Sequence, residues 1–183
     1  MQSTELLELI KRRQSQRTYT NRPVEKEKLL QCIEAARLAP SANNSQPWKF
    51  IIIDDPGLKN AVAELTTTKM IPMNQFTKQS PVIVALVREK TNLTTVVGRA
   101  LKDKNYPLID IGITTAHFCL QATAEGLSTC IIGWFDEKKI KELLHIPKNL
   151  RLELLILAGY PPTNEIRKKK RKETNQVLSY NGY

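Results

Sequence analysis

Three short segments of this 183-residue chain carry side chains whose types and spacing could do chemistry. Arg13-Gln14-Ser15-Gln16-Arg17 sets two guanidiniums and a hydroxyl within one short stretch. Such a set can grip a phosphate through paired N–H donors while backbone amides meet the edge of a ring. Taken alone, it also reads as an exposed helix end. Residues 39–48 (APSANNSQPW) combine small side chains, which let a flat ring or another backbone approach, with the orientable amides of Asn44 and Gln46. An ordinary helix-to-strand loop has the same composition. Cys130-Ile131-Ile132-Gly133-Trp134-Phe135-Asp136 runs an apolar strand into a glycine turn. That turn either presents backbone groups to a ligand or simply reverses the chain.

Side chains that catalyse by themselves are missing. No G-x-S-x-G occurs, and His117 falls inside an apolar helical run where packing accounts for it. His145 closes a helix, where an imidazole suits the dipole. Asp54 and Asp55 flank a turn and read as caps, and Asp103 and Asp110 have no partner that spacing identifies. Cys32, Cys119 and Cys130 form no C-x-x-C pair, which argues against a disulfide framework or a zinc site. Neither histidine has a metal-ligand spacing. Neither G-x-G-x-x-G nor G-x-x-x-x-G-K-[ST] is present, which excludes Rossmann and P-loop sites at the motif level. An enzyme built this way takes its reactivity from a bound cofactor.

The formal net charge is +10, and its distribution is informative. Six consecutive basic residues, Arg167 to Lys172, lie near the C-terminus, and Lys11, Arg12, Arg13 and Arg17 lie near the N-terminus. Two such clusters could track a nucleic-acid backbone, converge on one phosphate, or form a solvated tail. Only 6% of residues are aromatic, and none interleaves with the basic run as a stacking platform would. With 41% hydrophobic and 25% charged residues the composition is that of a soluble globular domain. No apolar stretch approaches a membrane span, and the N-terminus lacks a signal-peptide core. The expectation is one cytoplasmic domain, residues 1–183, without nucleic-acid or membrane partners.

The elements that must position these segments follow from periodicity and punctuation. Helices are predicted over residues 4–13, 24–39, 58–65, 108–125 and from Asp136 to about residue 144. Strands are predicted over 48–53, 82–87, 129–132 and 152–158. The helix at 108–125 is apolar almost all round and is expected to be central and buried on every side, with Gly126 closing it. Residues 66–80 read as a mobile connection, and 88–107 as a long weakly patterned stretch of the kind that forms lids. The tail beyond Thr163 has few apolar anchors and is expected to pack outside its own core. With helices arriving in pairs, a mixed α+β sandwich fits better than a doubly wound sheet.

The ordered set of motifs resembles the nitroreductase family of flavoproteins over nearly the whole chain. The most specific part is APSANNSQPW, which is similar to the family's A-P-S-x-x-N-x-Q-P-W block. The R-x-S-x-R pattern at Arg13, Ser15 and Arg17, and Gly159-Tyr160-Pro161 followed by the basic tail, support it. The resemblance implies a three-layer α-β-α sandwich with a mixed, mostly antiparallel sheet and a C-terminal extension crossing to the partner subunit. It implies a homodimer with FMN at the interface. Arg13, Gln14, Ser15 and Arg17 would hold the phosphate, ribityl chain and pyrimidine edge, and Lys169 and Arg171 would close on the phosphate. Pro40, Ser41, Ala42 and Asn44 would come from the other subunit. Asn74, or Gln75 if the alignment slips by one, would contact the flavin ring. Cys130, Ile131, Ile132 and Gly133 would run past N5 with backbone groups. One ligand would thus account for both basic clusters.

By the same resemblance, NAD(P)H would reduce the flavin and leave, and a planar electron-poor acceptor such as a nitroaromatic or quinone would then take its place. That is ping-pong hydride transfer with no catalytic side chain. Residues 66–76 and 88–107 would cover the pocket. Gln14 and Asn43 depart from frequent family residues, and Ile132 stands where many members carry a carboxylate. Cys130 is assigned a packing role. Dehalogenation, dehydrogenation or flavin breakdown on the same fold, a catalytically idle flavin binder, and a basic nucleic-acid-binding domain are the rival readings.

Overall fold

Four strands form one sheet: β1 (Trp48–Ile53), β2 (Val82–Arg88), β3 (Ser128–Ile132) and β4 (Arg151–Gly159). Their order is β1-β2-β4-β3, and every neighbouring pair is antiparallel. The helices among the described residues are α1 (Ser3–Arg12), α2 (Lys26–Arg37), α3 (Pro56–Glu64), α4 (Tyr106–Ala124) and α5 (Glu137–Leu143). The structure, a computed structural model, describes residues 3–67, 73–90 and 104–183. Parts of the two predicted lid segments, 68–72 and 91–103, lie outside the described residues.

β2 (VIVALVR) is apolar at successive positions rather than alternate ones, as a strand covered on both faces must be. Its two faces meet different helices. Ile83, Ala85 and Val87 pack with Val62 and Ala63 of α3 and Ile140 of α5. Val82 and Val84 pack with Leu29, Cys32 and Ala36 of α2 and Phe118, Cys119 and Ala122 of α4. Helices on both faces of one sheet make the expected α-β-α layering.

Two expectations are corrected. The sheet is antiparallel throughout rather than mixed. Its parallel component shrinks to a single bridge, Ser15 with Thr129, because the segment after α1 touches β3 at one point and then turns away to Tyr160. Nor is α4 buried on every side within one chain. Thr114 Oγ1 donates to Ala36 O at 2.7 Å, and His117 Nδ1 lies 3.3 Å from Ala35 O, so this face seats on α2. The opposite face keeps Leu108 and Ile109 about half exposed. The described residues thus leave part of this apolar helix without a cover.

Helix ends are set by local chemistry. Asp55 and Asp136 accept from the backbone N–H groups of Leu58 (2.7 Å) and Lys139 (3.1 Å) and cap α3 and α5. At the end of α4, Gly126 takes φ +77°; Leu127 N donates to Ala122 O and Gly126 N to Thr123 O. His145, at φ +53°, ends α5 in the same way.

Candidate functional site

The segment after α1 is clamped between β3 and the returning C-terminal chain. Gln16 N donates to Thr129 O at 2.9 Å. The Gln14 amide reaches the tail, with Nε2 donating to Glu165 O at 2.8 Å and Oε1 accepting from both N and Nε of Arg167 at 3.2 Å. Arg167 also donates to Ser15 O. Lys169 Nζ donates to Ile10 O at 2.9 Å and to Lys11 O, satisfying carbonyls that the end of α1 leaves open. The two basic clusters, some 150 residues apart in sequence, therefore meet.

Their meeting leaves positive charge uncompensated. Arg13 is half-buried, and its guanidinium makes no hydrogen bond or ion pair with another described residue. Arg17 lies over the Phe76 ring, 5.7 Å from its centroid. Among the described residues Arg171 donates only to the adjacent Lys170 O. The Lys169 ammonium is pushed below its ordinary pKa by burial, by Arg13 and by Arg171. None of these four cations pairs with a carboxylate among the described residues, and a cluster of this kind suits an anion.

Beside them runs an unpaired strand edge. Among the described residues β3 pairs with β4 on one side, and its other side is bridged at Thr129 alone. Because backbone groups alternate along an antiparallel strand, those of Ile131 and Gly133 point outward like Thr129 O. The side chains of Cys130 and Ile132 turn into the core, while Ile131 is exposed. Burial pushes the Cys130 thiol up, against the pull of Arg17, Arg13 and Arg167, so it is a neutral core group at neutral pH.

The turn leaving β3 is fixed from the α3 side. Asn74, at φ +60°, donates through Nδ2 to Trp134 O at 3.2 Å and to Thr66 O at 3.3 Å. Asp136 N donates to Leu65 O at 2.8 Å. Of the two alternatives at this position, Asn74 makes the contact with the β3 exit, while Gln75 begins a 3-10 turn.

Pro40, Ser41, Ala42 and Asn44 lie elsewhere. Their loop precedes β1, the opposite edge strand, and joins it at Trp48, the end paired with Arg88. Three strand spacings, about 14 Å, separate the two edges. Within the loop Asn43, Asn44 and Gln46 all have positive φ (52°, 51° and 43°), a left-handed conformation that asparagine tolerates better than most residues. Ser41 Oγ accepts from Gln46 N at 3.0 Å, and Gln46 Nε2 donates to Asn44 Oδ1 at 3.0 Å. Asp110 Oδ1 accepts from Ala42 N at 3.1 Å, tying the loop to α4. One chain thus assembles Arg13 to Arg17, Asn74, Cys130 to Gly133, Lys169 and Arg171 on one edge, and holds the remaining four on the other.

A sequence profile of the nitroreductase family matches residues 10–160. The chain belongs to the nitroreductase family. A Streptococcus pyogenes protein with the provisional name NAD(P)H nitroreductase is 29% identical, over 84% of this chain and 88% of its own length. An FMN-dependent nitroreductase from Clostridium difficile superposes with a TM-score of 0.76 at 26% identity, covering 97% of this chain and 99% of its own. A Thermotoga neapolitana iodotyrosine deiodinase is 24% identical, over 88% of this chain and 95% of its own. This member is therefore a nitroreductase-like oxidoreductase by descent.

Three residues that shape this candidate site received no individual role from sequence reasoning. Asp110 is the one carboxylate in α4, a signal that was available. Arg167 was hidden among five equally basic neighbours. Phe76 sits in a stretch without periodicity, and no sequence signal marks it. Among the described residues no helix is long and apolar enough to cross a membrane.

Proposed function

We propose that this nitroreductase-family chain is a single-domain, cytoplasmic, homodimeric FMN-dependent oxidoreductase. It carries out ping-pong hydride transfer from NAD(P)H to a planar electron-poor acceptor such as a nitroaromatic or quinone. The observation that carries the reading is the set of four uncompensated cations beside the open edge of β3. That combination fits a flat heterocycle with an anionic tail. FMN is such a molecule, and the named activities of the relatives support it.

In this reading Arg13 and Arg171 grip the phosphate, and Lys169, already donating to two carbonyls of α1, contributes mainly its charge. Gln14 is committed to the tail and acts by holding Arg167 and Glu165 in place. Ser15 and Arg17 face the ribityl chain and the pyrimidine edge. The outward backbone groups of Ile131 and Gly133 meet the ring beside N5, with Asn74 fixing the turn that follows. When bound, FMN supplies a site that takes a hydride from NAD(P)H and gives it up to an acceptor. The surrounding cations favour the electron-rich reduced form. The neutral Cys130 thiol takes no part. Pro40, Ser41, Ala42 and Asn44 of a second copy cover the other side of the ring, which makes the site a property of the dimer.

The test is an absorbance spectrum of purified protein with mass identification of the released chromophore, followed by initial rates against NAD(P)H and a quinone. Bands at about 370 and 450 nm are expected for an oxidised flavin, with parallel double-reciprocal lines for the ping-pong order. A protein that neither carries nor takes up FMN overturns the reading. The deiodinase relative makes a halogenated tyrosine the second acceptor to assay.

A further inference from the structure

The turn after β3 carries a tryptophan that the fold does not use. Trp134 is 53% exposed, yet its backbone is held rigidly through its carbonyl by Asn74 and, two residues on, by the bond from Asp136 N to Leu65 O. Those bonds need only main chain at this position, so any residue could form the turn. The indole stands at the rim of a groove of about 630 Å³ shared with Leu65, Phe135, Lys78 and Lys139. Both lysines are neutralised there, Lys78 by Glu64 at 3.3 Å and Lys139 by Asp136 at 3.1 Å. The groove therefore offers an electron-rich aromatic face without net charge, immediately beyond the Ile132-Gly133 end of the open strand edge. Such a surface does not suit a phosphate-bearing ligand. It suits a neutral, flat, electron-poor ring, which gains from offset stacking on indole.

We infer that Trp134 is a specificity-determining residue, the stacking face for the aromatic ring of the electron acceptor at this site. The inference rests on the flavin reading for its placement, but binding of the ring can be measured without flavin. The chain has two tryptophans, and Trp48 is buried, so quenchable emission comes mainly from Trp134.

The experiment compares full-length wild type with Trp134→Ala and Trp134→Phe. The acceptors are menadione, a planar naphthoquinone, and ferricyanide, which has no ring to stack. With FMN bound, Trp134→Ala should raise KM for menadione about tenfold and leave KM for ferricyanide within twofold. Trp134→Phe should recover most of the loss. In flavin-free protein, menadione should quench wild-type emission with saturation, and Trp134→Phe should show only linear collisional quenching. Equal KM changes for both acceptors, or linear quenching in wild type, overturn the inference. So does conversion of Trp134→Ala to a monomer in sedimentation, which would assign the indole to a subunit contact. If wild type takes up no FMN, the flavin reading fails, and the saturation test still decides the role of Trp134.

Discussion

Replacing Arg13 with glutamine removes a charge and keeps most of the aliphatic stem, and the structure assigns two opposite consequences to it. In flavin-free protein Arg13 has no anionic partner and helps to depress the Lys169 ammonium, so it acts there as a source of repulsion. Like charges at this spacing cost about 0.2–0.5 kcal/mol per pair. Relief of that repulsion should raise Tm by roughly 0.5–2 °C at low salt for a chain of this size. The gain should vanish near 1 M salt, where the Debye length falls to about 3 Å. In the presence of FMN the sign reverses. A hydrogen bond to a charged group contributes about 1.5–3 kcal/mol, so the variant should bind FMN about 10- to 150-fold more weakly. Flavin at 100 times the wild-type Kd stabilises the wild type by about 2.7 kcal/mol, and the variant should lose about half to nine-tenths of that. Differential scanning calorimetry with and without FMN, at two salt concentrations, reads both effects. Lys172→Ala serves as the control and should show neither. An Arg13→Gln protein that binds FMN within threefold of wild type, or whose flavin-free Tm drops by several degrees, refutes the reasoning. The first result removes Arg13 from the phosphate, and the second makes it a structural residue.

Three further predictions concern the scaffold. A Cβ at Gly159 would stand 2.6 and 2.8 Å from Pro81 Cδ and Cγ and 3.0 Å from Tyr19 Cδ1, so Gly159→Ala should cost about 1–3 kcal/mol and lower Tm by roughly 3–10 °C; an unchanged melt would refute that clash. Glu25 accepts from the Tyr160 hydroxyl at 2.5 Å and from Arg22 at 2.6 Å, and the Tyr160 bond first, then its own backbone and Arg22, hold its carboxyl down at about 2. Its folded value lies below its ordinary value, so its stabilisation is complete above about pH 4.5 and lost as pH falls through about 2; melts of wild type and Glu25→Gln should differ at pH 6 and converge near pH 2. Asp136→Ala removes the α5 cap and should cost about 1 kcal/mol, roughly 2–4 °C, measured by the same calorimetry.

The sheet and its helices were legible because their signals are local. β1 was predicted at its observed bounds, and β2, β3 and β4 within a residue or so of theirs, because each is an apolar run with turn formers at its ends. The caps of α3 and α5 were equally legible, since an aspartate before a helix has one common use. The errors have a shared cause. Apolar residues on every side of α4 do not tell whether the cover comes from the same chain, and the structure leaves Leu108 and Ile109 uncovered. Parallel or antiparallel pairing depends on where distant strands land, which no window of sequence contains. At the site, composition identified the two basic clusters, but only the fold shows that Lys169 is already bonded to the end of α1 while the Arg13 guanidinium bonds to no other described residue.

The strongest argument for a second copy comes from the sheet order. The segment carrying Arg13 to Arg17 is bonded to β3, and the Pro40 to Asn44 loop leads into β1, with β2 and β4 fixed between them by continuous ladders. No loop motion closes that gap while the ladders hold, because each edge segment is anchored to its own strand within a few residues. The proposed flavin, which would use both segments, would accordingly lie between two chains. The same chain leaves Leu6, Leu7 and Ile10 of α1 and Leu108 and Ile109 of α4 exposed, and ends in exposed Val177, Leu178 and Tyr180. Apolar surface on that scale is covered in stable proteins. In the proposed dimer one partner would serve both needs, covering these helix faces and bringing in the loop from Pro40 to Asn44.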